Sequence, residues 1–66
     1  MQVRVNGEQR DVPESVTVAG LLETLKLEAT QVAVEVNQEV VRRVRHAQVH
    51  LAPGDDVEIV TFVGGG

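Results

Sequence analysis

Apolar and polar residues alternate over the first five positions, so Val3 and Val5 share one face of an extended segment. Asn6-Gly7 follows, and this dipeptide is a strong signal for a β-hairpin because both residues tolerate positive φ. A second short strand is predicted over 9–12. Its Arg10 would share a face with Val3, so we expect an edge strand with a half-exposed inner face.

The next segment has the periodicity of an amphipathic helix. Thr17 is the predicted N-cap residue, because its hydroxyl can accept a hydrogen bond from the first helical turn. Gly20 lies in that turn and costs up to about 1 kcal/mol relative to alanine, which close packing of the helix on a sheet would explain. The apolar stripe expected to enter the core is formed by Val18, Leu21, Leu22 and Leu25.

Strand patterns return in the second half of the chain. Valines alternate with other residues over 32–36, which predicts a third strand, and a turn at 37–39 leads to a short strand around Val40-Val41. The segment 42–51 is irregular, with room for one helical turn. Pro53-Gly54-Asp55 has the composition of a tight turn, and the last strand is predicted over 57–63.

The predicted order of elements is ββα followed by three more strands. One helix on one face of a mixed sheet is the simplest way to bury the apolar stripe. We therefore predict an α+β protein of the β-grasp class, with a mixed sheet of four to five strands packed on one main helix. It would form a single domain over 1–66, with a flexible tail at 64–66.

Composition narrows the class of function. The chain has 66 residues, no cysteine, one aromatic residue and a net charge of −4. A nucleic-acid-binding protein normally has a basic face and stacking aromatic residues, so we expect no nucleic-acid partner. No apolar run approaches the length of a membrane span and no signal peptide is recognisable, so we expect a cytoplasmic protein that does not bind membranes and is monomeric when free.

The most informative chemistry lies at the end of the sequence, where a strand runs into Gly64, Gly65 and Gly66. Glycines form a thin peptide that can enter a channel too narrow for side chains. The carboxylate of Gly66 is the predicted reactive group. On the last strand, Val60 and Phe62 should lie on the face that the helix does not cover, and together with Val63 they are predicted to dock a partner.

Other polar clusters give weaker signals. His46 and His50 have the spacing of metal ligands on a helix, but no further ligand accompanies them, so we expect surface histidines and no metal site. The role of the arginine cluster (Arg42, Arg43 and Arg45) is left open between a solvated loop and a partner contact. Asp55-Asp56 is expected to form a turn, and no residue is expected to be catalytic.

Several segments together resemble the ThiS sulfur-carrier proteins of thiamin biosynthesis, within the ubiquitin-like MoaD/ThiS group. The resemblance covers essentially the whole chain, and a departure is Arg42, where the family often has proline before the arginine that Arg43 would match. The segments that carry the resemblance are the Asn6-Gly7 hairpin, the helix 18–25, the run VAVEVNQEVV at 32–41, the run LAPGDDVEIV at 51–60 and the final glycines.

The resemblance implies a specific chemistry at Gly66. A ThiF-like E1-type enzyme would adenylate the carboxylate of Gly66, using ATP and Mg²⁺ that bind to the enzyme and not to this chain. A persulfide sulfur donor would then convert the adenylate into a thiocarboxylate. Thiazole synthase (ThiG-like) would receive the sulfur, so this chain would be a protein co-substrate rather than an enzyme.

Three alternatives stay open from the sequence. The same chemistry could serve another acceptor, such as the molybdopterin precursor, a tRNA base or an amino-acid precursor. The activated carboxyl group could instead be joined to lysines of other proteins, as in a ubiquitin-like modifier. Finally, the chain could be a plain β-grasp interaction module in which the glycines are incidental.

Overall fold

The computed structural model describes residues 1–62, which form a five-stranded sheet with one α-helix. The strands lie in the order β2-β1-β5-β3-β4. No helix within residues 1–62 has the length and apolar character needed to cross a membrane. The elements are β1 (Gln2–Val5), β2 (Glu8–Asp11), α1 (Val18–Thr24), β3 (Val32–Val36), β4 (Glu39–Val41) and β5 (Asp56–Thr61).

The sheet is mixed, as the sequence predicts. β1 pairs with β2 in an antiparallel arrangement and with β5 in a parallel one, while β3 is antiparallel to both β4 and β5. The chain passes from one half of the sheet to the other through α1, which buries its apolar stripe on one face. The predicted β-grasp arrangement is confirmed.

The first hairpin has the predicted two-residue turn, since Val5 pairs with Glu8 across Asn6 (φ 51°) and Gly7 (φ 85°). Both φ values are positive, as a type I′ turn requires. Arg10 lies opposite Val3, and β2 is the edge strand, also as predicted. The predicted half-exposed inner face is confirmed, because Arg10 is exposed while Val12, two residues further along on the same face, is buried in the core. A helix about 10 Å wide covers only two or three strands spaced about 4.8 Å apart, so most of this edge strand lies beyond its reach.

α1 begins where the sequence predicts. Thr17 Oγ1 accepts a hydrogen bond from the backbone N–H of Gly20 at 3.0 Å. The close contact expected at Gly20 exists, although with a different partner. A Cβ at this position would lie 2.9 Å from Cγ2 of Val16, so it is the segment preceding the helix, and not the sheet, that excludes a side chain here.

The core is built almost entirely of aliphatic side chains from both sides of the sheet–helix interface. Its centre is Leu21, with Val18 and Val57 likewise fully buried. A bridge between Thr17 and His50 ties the segment 42–51 to the start of α1, and this segment contains the expected helical turn as a 3₁₀ turn at Arg43–Arg45. The buried hydrophobic residues are Val3, Val5, Val12, Val18, Leu21, Leu22, Val32, Val34, Leu51, Val57 and Ile59.

His46 corrects the prediction of two surface histidines. His50 is exposed, but the His46 side chain is only 4% exposed. Its Nε2 lies 3.2 Å from the backbone oxygen of Val41, and Nε2 must therefore carry the proton and donate it. The bond joins the 3₁₀ turn to the end of β4. His46 thus has a structural role that its spacing from His50 did not indicate.

Candidate functional site

The strand that leads to the glycine tail is the central strand of the sheet. β5 is paired on both sides: Asp56 and Val57 pair with β1, and the residues from Val57 to Thr61 pair with β3. The pairing continues one residue past the strand, where the N–H of Phe62 donates to Gln31 O at 2.8 Å. Val63 and the predicted reactive tail, Gly64–Gly66, lie outside the described residues. The tail therefore follows a segment held in place up to Phe62.

Asn6 holds β5 from the side of β1. Its backbone N–H donates to Val57 O at 2.8 Å. Its side-chain Oδ1 accepts from the N–H of Ile59 at 2.8 Å, and its Nδ2 donates to Ile59 O at 3.1 Å. The side-chain amide thus replaces the next peptide group of the parallel ladder, and the turn residue that reverses β1 also extends its pairing with β5.

Asn37 does the same at the other end of β5. It is the first turn residue of the second hairpin, with φ 51°. Its N–H donates to Asp56 O at 2.7 Å, and its Oδ1 accepts from the N–H of Asp56 at 3.0 Å. Its Nδ2 donates to Oδ1 of Asp55 at 3.0 Å, while Oδ2 of Asp55 accepts from the N–H of Ala52. Asp55 therefore has the turn-forming role that the sequence predicts.

The outward face of β5 carries the predicted apolar residues. Val57 and Ile59 point into the core, whereas Val60 and Phe62 are 60% and 54% exposed. Ala33 lies directly opposite Val60 on β3 and is also exposed. We call Ala33, Val60 and Phe62 the apolar patch. It includes Phe62, the last described residue, and no described element covers it.

Two carboxylates lie next to the apolar patch on the same face. Glu35 of β3 pairs with Glu58 of β5 directly across the two strands. Glu58 precedes Val60 by two residues, so the two side chains point the same way. On its other side, Glu35 lies opposite Val40, which is 70% exposed. We call Glu35 and Glu58 the carboxylate pair.

The opposite side of β5 borders a shallow groove of about 420 Å³, lined among others by Leu25, Leu27, Ile59 and Thr61. Among residues 1–62, no three histidine, aspartate or glutamate side chains come together in the manner of a metal site. Up to Phe62, the described residues form a strand that is paired on both sides and has an apolar and anionic outward face.

Val60 and Phe62 share the outward face, as predicted. Val63, the third residue predicted to dock a partner, lies outside the described residues. Local sequence patterns indicate Asn6 and Asn37 only as turn residues, so their role as anchors of β5 was not predicted. The carboxylate pair was not predicted either. Strand alternation alone could have placed Glu58 on the face of Val60, but pairing it with Glu35 requires the register between β3 and β5.

The mixed sheet has five strands, one helix crosses it, and its central strand is β5, the last strand in the described chain. This architecture defines a protein of the ubiquitin-like β-grasp class. Within this class, residues 3–66 match the model of the ThiS family. The chain belongs to the ThiS family.

Individual relatives agree with this assignment. The chain is 40% identical in sequence to the crystal structure of a thiamine biosynthesis protein (ThiS) from Geobacter metallireducens, with a TM-score of 0.85 and 100% of both chains covered. It is 44% identical over 50 residues to the sulfur carrier protein ThiS of Bacillus subtilis, covering 76% of each chain.

One relative that is longer than this chain matches it over all 66 residues. A thiazole synthase of Paramagnetospirillum magneticum is 46% identical over 66 residues, which are 100% of this chain. The chain spans about a fifth of the length of that relative (20%). In that protein, a segment similar to this chain is therefore part of a much larger polypeptide.

Proposed function

We propose that this chain is a sulfur carrier in thiamine biosynthesis and that it carries the sulfur as a thiocarboxylate at Gly66. The observation that carries the proposal is membership of the ThiS family, which includes the sulfur carrier of Bacillus subtilis. The fold supports it, because β5 is anchored up to Phe62 and is followed by three glycines within the matched residues.

The proposed chemistry begins with activation of the carboxylate. An oxygen of the Gly66 carboxylate attacks the α-phosphorus of ATP, and pyrophosphate leaves, so that an acyl-adenylate forms. A persulfide sulfur then attacks the acyl carbon and AMP leaves. A thiol cleaves the resulting S–S bond, so that the thiol and the donor cysteine become a disulfide and the thiocarboxylate is released. Since the chain has no cysteine, none of these thiols is its own.

The glycine tail fits this role sterically. Four residues separate Phe62 from the end of Gly66 and reach at most about 14 Å when fully extended. The last three of these residues, Gly64–Gly66, have no side chains, so they can enter a narrow active site while the β-grasp domain stays outside. Because β5 is anchored up to Phe62, the tail starts from a fixed point on the domain, which lowers the positional freedom that is lost on binding.

The partners follow from the same chemistry. An E1-type adenylating enzyme (ThiF-like) would supply the ATP site and Mg²⁺, and a persulfide-forming protein would supply sulfur. A thiazole synthase is the proposed acceptor. The similarity of this chain to a segment of a Paramagnetospirillum magneticum thiazole synthase supports this choice, since proteins that act together are often found as one polypeptide. The chain itself would be a substrate of these enzymes.

A reconstitution with purified adenylating enzyme, ATP and Mg²⁺ tests the activation step. With the unmodified chain as substrate, we expect the enzyme to release pyrophosphate from ATP in proportion to the concentration of the chain. With a variant that lacks Gly66, or one that carries an extra alanine after it, no pyrophosphate should be released. Both variants should keep the urea denaturation curve of the original chain. Pyrophosphate release from either variant at the original rate would show that Gly66 is not the activated residue.

A further inference from the structure

The carboxylate pair is placed where it should destabilise the sheet. Phe62 N–H bonds to Gln31 O, and the register then makes Glu35 and Glu58 a hydrogen-bonded pair, with their side chains facing each other on the exposed side. Like charges directly opposite in an antiparallel pair repel each other. Among residues 1–62, neither carboxylate has a basic group within 4.0 Å. Within the described fold, no close ion pair therefore offsets this repulsion.

The anionic region is continuous with the apolar patch. Along β5 the outward-facing residues are Asp56, Glu58, Val60 and Phe62, spaced about 7 Å apart. Two basic residues are diagonal to the carboxylate pair in register: Arg4 lies opposite Asp56, and Arg42 follows Val41 at the end of β4, on the side of Ala33. From the middle of the sheet towards the tail, the outward face thus changes from anionic to apolar.

We propose that the carboxylate pair and the apolar patch together form the docking surface for a cationic, arginine- or lysine-bearing surface of the adenylating enzyme. This inference rests on the proposed function. An enzyme that binds ATP and an anionic carboxylate tail needs positive potential around its active site. Glu58 lies on β5, which precedes the tail, and Glu35 lies on the neighbouring strand β3. The positive potential of the enzyme would therefore attract both carboxylates and orient the domain.

The proposal predicts that a single variant is more stable than the original chain and yet a poorer substrate. Replacing both residues, Glu35→Gln and Glu58→Gln, removes the cross-strand repulsion and should raise the urea midpoint of unfolding. The same variant should be a poorer substrate, with a KM for the adenylating enzyme about tenfold higher, because electrostatic steering contributes at least that much to association of complementary surfaces. The kcat should change less than twofold, since the tail is intact.

A matched control is available on the other side of the molecule. Glu23 and Glu28 are both exposed, one in α1 and one just before the 3₁₀ turn at 29–31, away from the outward face of the sheet. The double variant Glu23→Gln and Glu28→Gln changes the net charge equally. It should leave KM within twofold of the original value, and KM for the original chain should rise more steeply with salt than KM for the Glu35/Glu58 variant.

Each outcome of these measurements either supports or overturns the proposal. A raised KM for the Glu35/Glu58 variant alone, together with a raised urea midpoint, supports the proposal. An unchanged KM overturns it, as does an equal rise in the control variant. If adenylation is unaffected and only sulfur transfer to thiazole synthase slows, the occupant is the acceptor enzyme and the proposal is wrong. If the unmodified chain is not adenylated at all, the proposed function fails instead.

Discussion

The side-chain amide of Asn6 forms two hydrogen bonds to the main chain of Ile59, 53 residues further along the chain. One side chain thereby connects the first hairpin to the strand that precedes the glycine tail. The Asn6→Gly variant tests this contact, because glycine keeps the positive φ of the turn and deletes only the amide. We expect a loss of about 2 kcal/mol in the free energy of unfolding, from two hydrogen bonds at about 1 kcal/mol each.

Urea denaturation would measure that loss, and hydrogen exchange would locate it. The N–H of Ile59 should exchange faster in Asn6→Gly, whereas amides of the β3–β4 hairpin should change only as much as global stability does. If the variant were as stable as the original chain, with Ile59 equally protected, the amide would not be an anchor of β5.

The second hairpin contains a residue that is unfavourable in its backbone conformation. Gln38 has φ 70° in the two-residue turn between β3 and β4, a position for which glycine is preferred. Gly7 fills the equivalent position of the first hairpin with φ 85°. We expect Gln38→Gly to stabilise the protein by about 0.5–1 kcal/mol, since relief of left-handed strain exceeds the entropic cost of glycine.

The reciprocal variant is the control. Gly7→Ala places a Cβ where no atom lies within 4 Å, so only backbone conformation can penalise it. It should destabilise the protein by about 1 kcal/mol. Thermal unfolding of both variants checks the pair of predictions. A destabilised Gln38→Gly protein would indicate that the Gln38 side chain makes a contribution that outweighs its strain.

The two histidines should differ in their effect on stability. His46→Ala removes a buried ring and leaves the backbone oxygen of Val41 without its donor, and we expect a loss of about 2–3 kcal/mol in the free energy of unfolding. His50→Ala removes an exposed side chain and should stay within about 0.5 kcal/mol of the original value. Urea midpoints of the two variants give the comparison, and equal midpoints would contradict the structural role of His46.

The apolar patch should matter for partner binding and not for folding. Phe62 is 54% exposed, so Phe62→Asp should leave the free energy of unfolding within about 0.5 kcal/mol. Binding to the adenylating enzyme, measured by calorimetry, should weaken at least about tenfold, because an apolar anchor is replaced by a charge. Val44→Asp is the control, since Val44 is 76% exposed and lies outside the patch. An equal effect of both variants would mean that Phe62 has no specific role in docking.

Local patterns in the sequence were sufficient for much of the fold. The Asn6-Gly7 turn, the N-cap at Thr17 and the burial of Val57 and Ile59 with exposure of Val60 follow from neighbouring residues alone. These features depend on backbone preference and strand alternation, which act within a few residues.

Other features depend on contacts between distant segments, which no local pattern of residues indicates. The amide of Asn6 reaches Ile59 only because β1 and β5 are adjacent and parallel. His46 is buried because the irregular segment 42–51 folds over the end of β4, and no periodicity indicates how such a segment packs. The pairing of Glu35 with Glu58 likewise depends on register.

The account depends most on the chemical state of Gly66, and mass spectrometry of the protein after reaction tests it most directly. The chain would be isolated from its own cells, incubated with ATP, adenylating enzyme and persulfide donor, and analysed intact and after fragmentation. We predict an ATP-dependent mass increase equal to the replacement of one oxygen by sulfur, located at Gly66. A chain that continues beyond Gly66, an unchanged mass with active enzyme, or adducts joined through lysine would contradict the account.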